Sequence, residues 1–231
     1  MKNYCYVFAR GGSKGIPKKN IKFLIDKPLI AYSLLIASEI KSIDKFFVST
    51  DCQEIKDVAL EYGAEIIDRP LELAQDESPE WLAWQHAIDW TINKYGDFSK
   101  FISLPATAPL RSKNDIETCI NALDSSSDIV VTITNAYRNP FFNMVKIDDG
   151  YLKLVNEQND KIYRRQDAPL VFDMTTIAYI SKPKFILNNN SIWSGRVKGV
   201  PIPKERAIDI DDYYDFEIAE FLLKKRGSKN D

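Results

Sequence analysis

The residues best equipped for chemistry come early in the chain. Ala9-Arg10-Gly11-Gly12-Ser13-Lys14-Gly15-Ile16-Pro17-Lys18-Lys19-Asn20 follows directly on the apolar run Tyr4-Cys5-Tyr6-Val7-Phe8. Glycine lets the backbone bring its N–H groups against phosphate oxygens, and Arg10, Lys14, Lys18 and Lys19 supply positive charge. Such a turn at the end of a first strand suits a nucleoside triphosphate, because open α/β sheets hold ligands beyond the carboxyl ends of their strands. The spacing matches neither G-x-x-x-x-G-K-[ST] nor G-x-G-x-x-G. The plainer alternative is a basic surface turn. A second constellation, Ala207-Ile208-Asp209-Ile210-Asp211-Asp212, lies near the other end. Asp209 and Asp211 would share one face of a strand end, a hard-oxygen pair suited to Mg²⁺. Its alternative is an N-cap cluster, and Asp212 is placed to cap the last helix. The two constellations are complementary: cations hold a triphosphate, and a divalent ion polarises the phosphate that reacts.

Elements able to position these groups alternate along the chain. Strands are expected at Tyr4–Ala9, Lys45–Ser49, Glu65–Ile67, Lys100–Leu104 and Asp128–Thr134, and again at Thr176–Ile180 and Val197–Pro201. Helices are expected at Leu29–Ile40, Gln53–Tyr62 and Pro79–Tyr95, from Ser112 to about Leu123, and over Asp212–Lys225. The alternation implies an α/β protein with a mainly parallel sheet covered by helices on both faces. From 135 to 173 the rhythm breaks, and Asp148-Asp149-Gly150 signals a hairpin. That segment reads as an antiparallel excursion, either a lid over the site or a contact between two copies, inserted in one domain of residues 1–231.

Composition narrows the class. The chain has 231 residues, 45% apolar and 28% charged, which is enough for a sizeable core. A formal net charge of −2 provides no global basic field, which argues against nucleic acid as a partner. Cys5, Cys52 and Cys119 lie far apart and read as reduced thiols, and no apolar run reaches membrane-span length. A cytoplasmic protein without a membrane partner is expected. His86, the only histidine, reads as structural. Trp81, Trp84 and Trp90 are spaced for packing along one helix, and Lys224-Lys225-Arg226 is a charge cluster at a helix end.

Taken in order, the motifs resemble those of the acylneuraminate cytidylyltransferase (CMP-sialic acid synthetase) family. The glycine turn is followed by Val48-Ser49-Thr50-Asp51 and Tyr62-Gly63-Ala64-Glu65. Arg69-Pro70 comes next, with Glu72-Leu73-Ala74 and Asp76, and then Thr107-Ala108-Pro109-Leu110-Arg111. Arg165-Gln166-Asp167 and Ile208-Asp209-Ile210-Asp211 with Asp215-Phe216-Glu217 complete the set. The resemblance implies a three-layer α/β/α, Rossmann-like nucleotidyltransferase fold with a small antiparallel dimerisation extension over 135–173. It also implies a reaction: a sugar's anomeric hydroxyl attacks the α-phosphate of CTP, giving a CMP-sugar and pyrophosphate, with Mg²⁺ as cofactor. By the same resemblance, Ala9, Arg10, Gly11, Gly12, Ser13, Lys14, Lys19, Asn20 and Arg69 bind the nucleotide. Arg10, Lys19 and Asp211 act in catalysis, and Asp209 and Asp211 hold the metal. Thr107, Arg165 and Gln166 meet the sugar, Arg165 facing its carboxylate. A homodimer is implied, each protomer's extension reaching toward its partner's site.

Departures bear on the sugar. Where the family usually reads Gln-Pro-Thr-Ser-Pro, this chain has Pro105-Ala106-Thr107-Ala108-Pro109. Asp173-Met174-Thr175-Thr176 stands where Arg-Pro-Asn-Gly is common, and a Ser-rich stretch near the base becomes Ser78-Pro79-Glu80-Trp81. Proline removes polar partners for sugar hydroxyls, which favours a less hydroxylated, diacetamido acid such as legionaminic acid over N-acetylneuraminic acid. The competing expectations are a CMP-Kdo-type enzyme, a nucleotidyltransferase of sugar 1-phosphates, and a non-catalytic nucleotide-binding protein on the same fold.

Overall fold

The first strand explains the layering. In β1 (Asn3–Phe8), successive side chains enter opposite layers, and both layers are apolar. Tyr4 and Tyr6 join Phe47, Phe101, Trp81 and Trp84 on one face, while Cys5 and Val7 join Ile30, Leu34, Val48 and Ile102 on the other. A strand buried on both faces belongs inside a parallel sheet. Here β4 (Lys45–Thr50) and β6 (Lys100–Ser103) flank β1 in parallel, and β5 (Glu65–Asp68) lies outside β4. The computed structural model describes residues 2–156 and 162–227.

The sheet has seven strands in the order β11-β7-β10-β6-β1-β4-β5. Its far half comprises β7 (Ile129–Asn135), β10 (Phe172–Ser181) and β11 (Val197–Pro201). β10 runs antiparallel to both β6 and β7, whereas β11 is parallel to β7. Helices α1 (Leu29–Glu39), α2 (Gln53–Glu61) and α4 (Lys113–Ala122) cover one face. Helices α3 (Glu80–Tyr95) and α5 (Pro183–Leu187) cover the other, with Trp81, Trp84, Ala87 and Ile88 of α3 packed on the aromatic face. The three-layer α/β/α arrangement expected from the alternation is thus present. Cys5 and Cys119 are buried, and burial pushes each thiol up to about 12, so neither is reactive.

Helix starts follow local chemistry. Ser112 and Asp115 form a reciprocal capping box at α4. Asp212 accepts from the N–H groups of Tyr214 and Asp215 at the start of the last helix, α6 (Tyr213–Gly227).

Three details depart from the sequence reading. A two-residue hairpin, β2 (Phe23–Leu24) with β3 (Lys27–Pro28), precedes α1. β10 begins at Phe172, inside the expected excursion, because its first residues pair with β7. The Asp209–Asp211 segment is not a strand. β11 ends on Pro201 and Pro203 follows, and the segment then crosses the 105–109 loop on one backbone bond, Ile210 N–H to the Thr107 carbonyl at 2.9 Å. The signal at Asp148-Asp149-Gly150 does place a turn, joining β8 (Val145–Asp148) to β9 (Tyr151–Leu154), with Asp149 and Gly150 at φ 49° and 79°.

Candidate active site

The order of strands creates the site. From β1 the chain builds outward through β4 and β5, then returns to β6 on the other side of β1. A crevice opens at such a switch point, beyond the carboxyl ends of the strands. Arg10 follows β1, Asp51 follows β4, Arg69 follows β5 and Pro105–Thr107 follow β6.

The glycine turn is held from several sides. The Gly11 N–H donates to Asp51 Oδ1 at 3.0 Å, so that group is already engaged. Asn20, buried, donates from Nδ2 to the Arg10 carbonyl at 3.1 Å. Asp76 binds two cations of the turn at once, Arg10 Nη1 at 2.7 Å and Lys14 Nζ at 2.8 Å. Lys18 turns away to Glu54. Lys19 Nζ donates to the Ile210 carbonyl at 2.5 Å and lies 3.4 Å from Asp211 Oδ1.

That last contact joins the two ends of the sequence. Ile16, fully buried, shares an apolar cluster with Leu24, Leu29, Leu110, Ile210 and Phe216. The cluster anchors the turn to the acidic segment. Gly15 is needed at the junction, since a Cβ there would lie 2.2 Å from the Asp211 carbonyl oxygen.

A cleft of about 370 Å³ opens beside this junction, lined by Arg10, Asn20, Arg69, Asp76, Thr107 and Asp209, with Phe8, Ser78, Glu80, Pro105, Thr176 and Tyr179. Arg69 is buried against the Phe8 ring, its guanidinium carbon 5.6 Å from the centroid. It donates from Nε to Ser49 Oγ at 3.2 Å and from Nη2 to the Ser49 carbonyl at 2.7 Å, and burial lowers its pKa. Glu80 accepts from Trp84 Nε1 at 3.2 Å. The residue is exposed where it lines the cleft, and desolvation by the surrounding protein raises its pKa against the opposing pull of Trp84 and Arg69. Tyr179 is pushed up to about 12 by burial, with the charges of Glu80 and Asp209 adding to the effect.

Two polar atoms in this cleft are buried without a partner, Asp209 Oδ1 and Thr176 Oγ1. A bulge explains the threonine. The register of β10 against β7 slips between Thr175 and Tyr179, and Thr132 pins the irregularity through Thr175 and the Ile177 N–H. The unpartnered Asp209 oxygen is chemically suited to a cation. Mg²⁺ commonly takes one or two carboxylates and completes its shell with phosphates and water. Among the described residues no cluster of three or more His, Cys, Asp or Glu side chains could hold a metal by itself. The free Asp209 oxygen fits one carboxylate position of a Mg²⁺ ion whose other ligands would be phosphate and water.

The expected site residues do not all converge. Arg10, Asn20, Arg69, Thr107 and Asp209 line the cleft. Gly11 and Ser13 line an adjoining hollow with Lys18 and Cys52, which Arg10 and Asn20 also border. The Asp211 side chain is 79% exposed and pairs with Lys19. Arg165 and Gln166 line a separate hollow with Asn139 and Pro169, where Arg165 Nη2 donates to the carbonyls of Ala136 and Tyr137. Within one chain they are not brought to the cleft. Sequence reasoning assigned no site role to Asp76, Glu80, Thr176 or Tyr179. Asp76, Glu80 and Thr176 do stand in segments that the sequence singles out, Glu80 and Thr176 where this chain departs from the family pattern, whereas Tyr179 on β10 carries no local signal. His86 does not line the cleft, in keeping with a structural role, and burial lowers its pKa.

Residues 4–221 match the protein family described as Cytidylyltransferase. The chain belongs to this family. Over 96% of its length it is 36% identical to post-translational flagellin modification protein B of Campylobacter coli, covering 95% of that protein. It is 35% identical to CMP-N,N'-diacetyllegionaminic acid synthase of Campylobacter jejuni, with 96% and 95% of the two chains covered. The N-acylneuraminate cytidylyltransferase of Streptococcus agalactiae serotype V is 31% identical over 94% of this chain but only 52% of its own length. The fold is also that of CMP:2-keto-3-deoxy-manno-octonic acid synthetase solved with CTP, at TM-score 0.70 and 15% identity, covering 98% of this chain and 100% of that one. The cytidylyltransferase is a CTP-dependent nucleotidyltransferase. Among its described residues no helix is long and apolar enough to cross a membrane.

Proposed function

We propose that this cytidylyltransferase transfers CMP from CTP to the anomeric hydroxyl of a sialic-acid-type nonulosonic acid, and that the sugar is a diacetamido acid such as legionaminic acid. The observation that carries the reading is that Arg10 and Asn20 of the glycine turn share one cleft with the unpartnered Asp209 oxygen, the turn and the acidic segment being joined through Gly15, Lys19 and Ile210. Arg10, Lys14 and Lys19 offset the triphosphate, assisted by the N–H groups of Gly12 and Ser13, and Asp76 releases Arg10 and Lys14 to the phosphates. The sugar hydroxyl oxygen forms a bond to the α-phosphorus, and the bond to the bridging oxygen breaks. That electron pair leaves with pyrophosphate, and the hydroxyl proton passes to a cleft carboxylate or to water. Lys19 faces the charge that grows on the departing group. Asp209 and Asp211 would hold Mg²⁺, which supplies polarisation of the α-phosphate.

Two observations favour the diacetamido sugar. One is the similarity to the C. jejuni legionaminic acid enzyme. The other is Pro105 in the cleft wall, which has no N–H and whose carbonyl Arg111 already occupies, so this wall offers little to sugar hydroxyls. The assembly is proposed to be a homodimer. Ile147, Tyr151 and Leu152 of the β8–β9 hairpin are exposed, as are Tyr163 and Leu170, and a second copy covering them would let Arg165 and Gln166 reach the partner's cleft.

The test is pyrophosphate release with each of the four nucleoside triphosphates, crossed with legionaminic, pseudaminic and N-acetylneuraminic acids and Kdo, with and without Mg²⁺. Turnover confined to CTP, highest with legionaminic acid at limiting sugar, is expected. Equal use of legionaminic and N-acetylneuraminic acids would remove the specificity argument, and preferred use of Kdo would overturn the sugar class.

A further inference from the structure

Asp76 is an anion standing where another anion has to bind. Its carboxylate holds Arg10 Nη1 at 2.7 Å and Lys14 Nζ at 2.8 Å, two of the three cations set against the triphosphate. The hydrogen bond from Lys14, with Arg10 assisting, lowers its pKa, so the group is charged at neutral pH. All three side chains reach solvent, where an ion pair is weak enough to be exchanged. Each side of the contact has a fixed base. The Asp76 loop closes on itself: Ser78 Oγ donates to the Glu72 carbonyl at 2.6 Å, the Ser78 N–H to the Gln75 carbonyl at 3.2 Å, and Gln75 Nε2 to the Leu71 carbonyl at 2.7 Å. The glycine turn is pinned at Gly11 by Asp51 and at Ile16 by the buried cluster. Between those pins, open space surrounds Gly12. Lys14 and the Arg10 guanidinium can therefore follow either a carboxylate or a phosphate while both loops keep their anchors.

We propose that Asp76 is a built-in competitor of pyrophosphate. Its carboxylate occupies Arg10 and Lys14 in the empty cleft, yields them to the triphosphate, and takes them back as pyrophosphate departs. The proposal rests on the triphosphate reading of the cleft. No covalent bond changes in the exchange; one set of charge-assisted hydrogen bonds replaces another. The effect has a definite sign. A phosphate reaching these cations displaces a carboxylate rather than water, so Asp76 weakens both CTP and pyrophosphate. Pyrophosphate loses the larger share of its affinity, because it is held by phosphate contacts alone and lacks those of the nucleoside. Product release is thereby favoured over loss of substrate. A role in positioning alone would carry the opposite sign: without Asp76 both cations would drift, and both ligands would bind more weakly.

Equilibrium binding of magnesium pyrophosphate, and of CTP in the absence of sugar, reads that sign. In Asp76→Asn, pyrophosphate should bind at least about tenfold more tightly than in the wild type, and CTP should gain by a smaller factor. Asp76→Ala should behave alike, which keeps the measurement available where one variant folds poorly. Dissociation of pyrophosphate should slow by a similar factor. In a Lys14→Ala background the gain should shrink by at least about threefold, because the two side chains act through one contact. Glu54→Gln removes an equal charge beside Lys18 in the adjoining hollow, and pyrophosphate affinity there should stay within about threefold of wild type. Unchanged or weaker pyrophosphate binding in the Asp76 variants would overturn the proposal. So would an equal gain in Glu54→Gln, which would reduce the effect to net charge. A wild-type protein that binds neither CTP nor pyrophosphate would overturn the nucleotide reading itself, a separate outcome.

Discussion

Replacing Gly15 by alanine adds one carbon at the seam between the glycine turn and the acidic segment. That Cβ would lie 2.2 Å from the Asp211 carbonyl oxygen, where real contacts stay above 3.0 Å. The seam must therefore open by at least about 0.8 Å. The opposing wall is backbone and cannot swing aside. Its Ile210 N–H is tied to the Thr107 carbonyl at 2.9 Å, its Asp211 N–H to Asp215 Oδ2 at 3.0 Å, and Ile210 itself is buried. The turn has to move instead, carrying Arg10, Lys14 and Lys19 with it. A displacement near 1 Å in a positioning element costs on the order of 100-fold in rate. Overpacking of this kind destabilises by about 1–3 kcal/mol, a fall in Tm of several degrees for a chain of this size. Initial rates of pyrophosphate release at limiting CTP, set beside thermal unfolding, separate the two effects. Gly227→Ala is the control, because nothing lies within 4 Å of its Cβ at the end of α6. A Gly15→Ala enzyme with kcat/KM within about threefold of wild type would refute the claim that close contact here sets the catalytic geometry.

Other outcomes follow from the same contacts. Asp211→Ala should abolish Mg²⁺-dependent pyrophosphate release with little change in Tm, because that side chain is 79% exposed; a large loss of folded protein would make the aspartate structural. Chelation of Mg²⁺ in the wild-type enzyme should reproduce the loss of activity. Lys19→Ala should raise the barrier by roughly 2–4 kcal/mol, as for other positioned charges, and wild-type turnover would remove Lys19 from the mechanism. Arg206→Ala leaves the buried Asp115 carboxylate without the fork that binds it at 2.7 and 2.8 Å, and unfolding by denaturant should show a loss of about 3 kcal/mol. Burial alone would raise the Asp115 pKa, but Arg206 and the Ser112 N–H and hydroxyl bring it below the ordinary value; Asp128, bonded by Arg196, and Asp124, bonded by Ser126 and Lys198, are lowered too. Carboxylates held below their unfolded pKa stabilise the fold above about pH 4, and that contribution fades as pH falls through their folded values, so Tm should drop on acidification below about pH 4. A Tm unchanged between pH 5 and pH 2.5 would contradict this.

Local sequence was sufficient wherever the physics is local. The two-faced burial of β1 was readable from its continuous apolar run, the caps at Ser112 and Asp212 from the residue types at the helix starts, and the β8–β9 turn from Asp149-Gly150. The ordered motifs identified the family and, with it, which residues to examine. Tertiary structure decided what depends on contacts distant in sequence. The Ile16–Ile210 cluster brings the glycine turn to the acidic segment across some two hundred residues, and Lys19 and Gly15 acquire their meaning only at that junction. Pairing of β10 with β7 across 43 residues creates the bulge that turns Thr176 and Tyr179 into the cleft. Asp76 could not be seen as the partner of Arg10 and Lys14, because charge attraction depends on distance in space and the alternation of residues carries none. Arg165 shows the same limit: its motif is plain in the sequence, yet the fold of one chain seats it in a different hollow from the cleft its guanidinium was expected to serve.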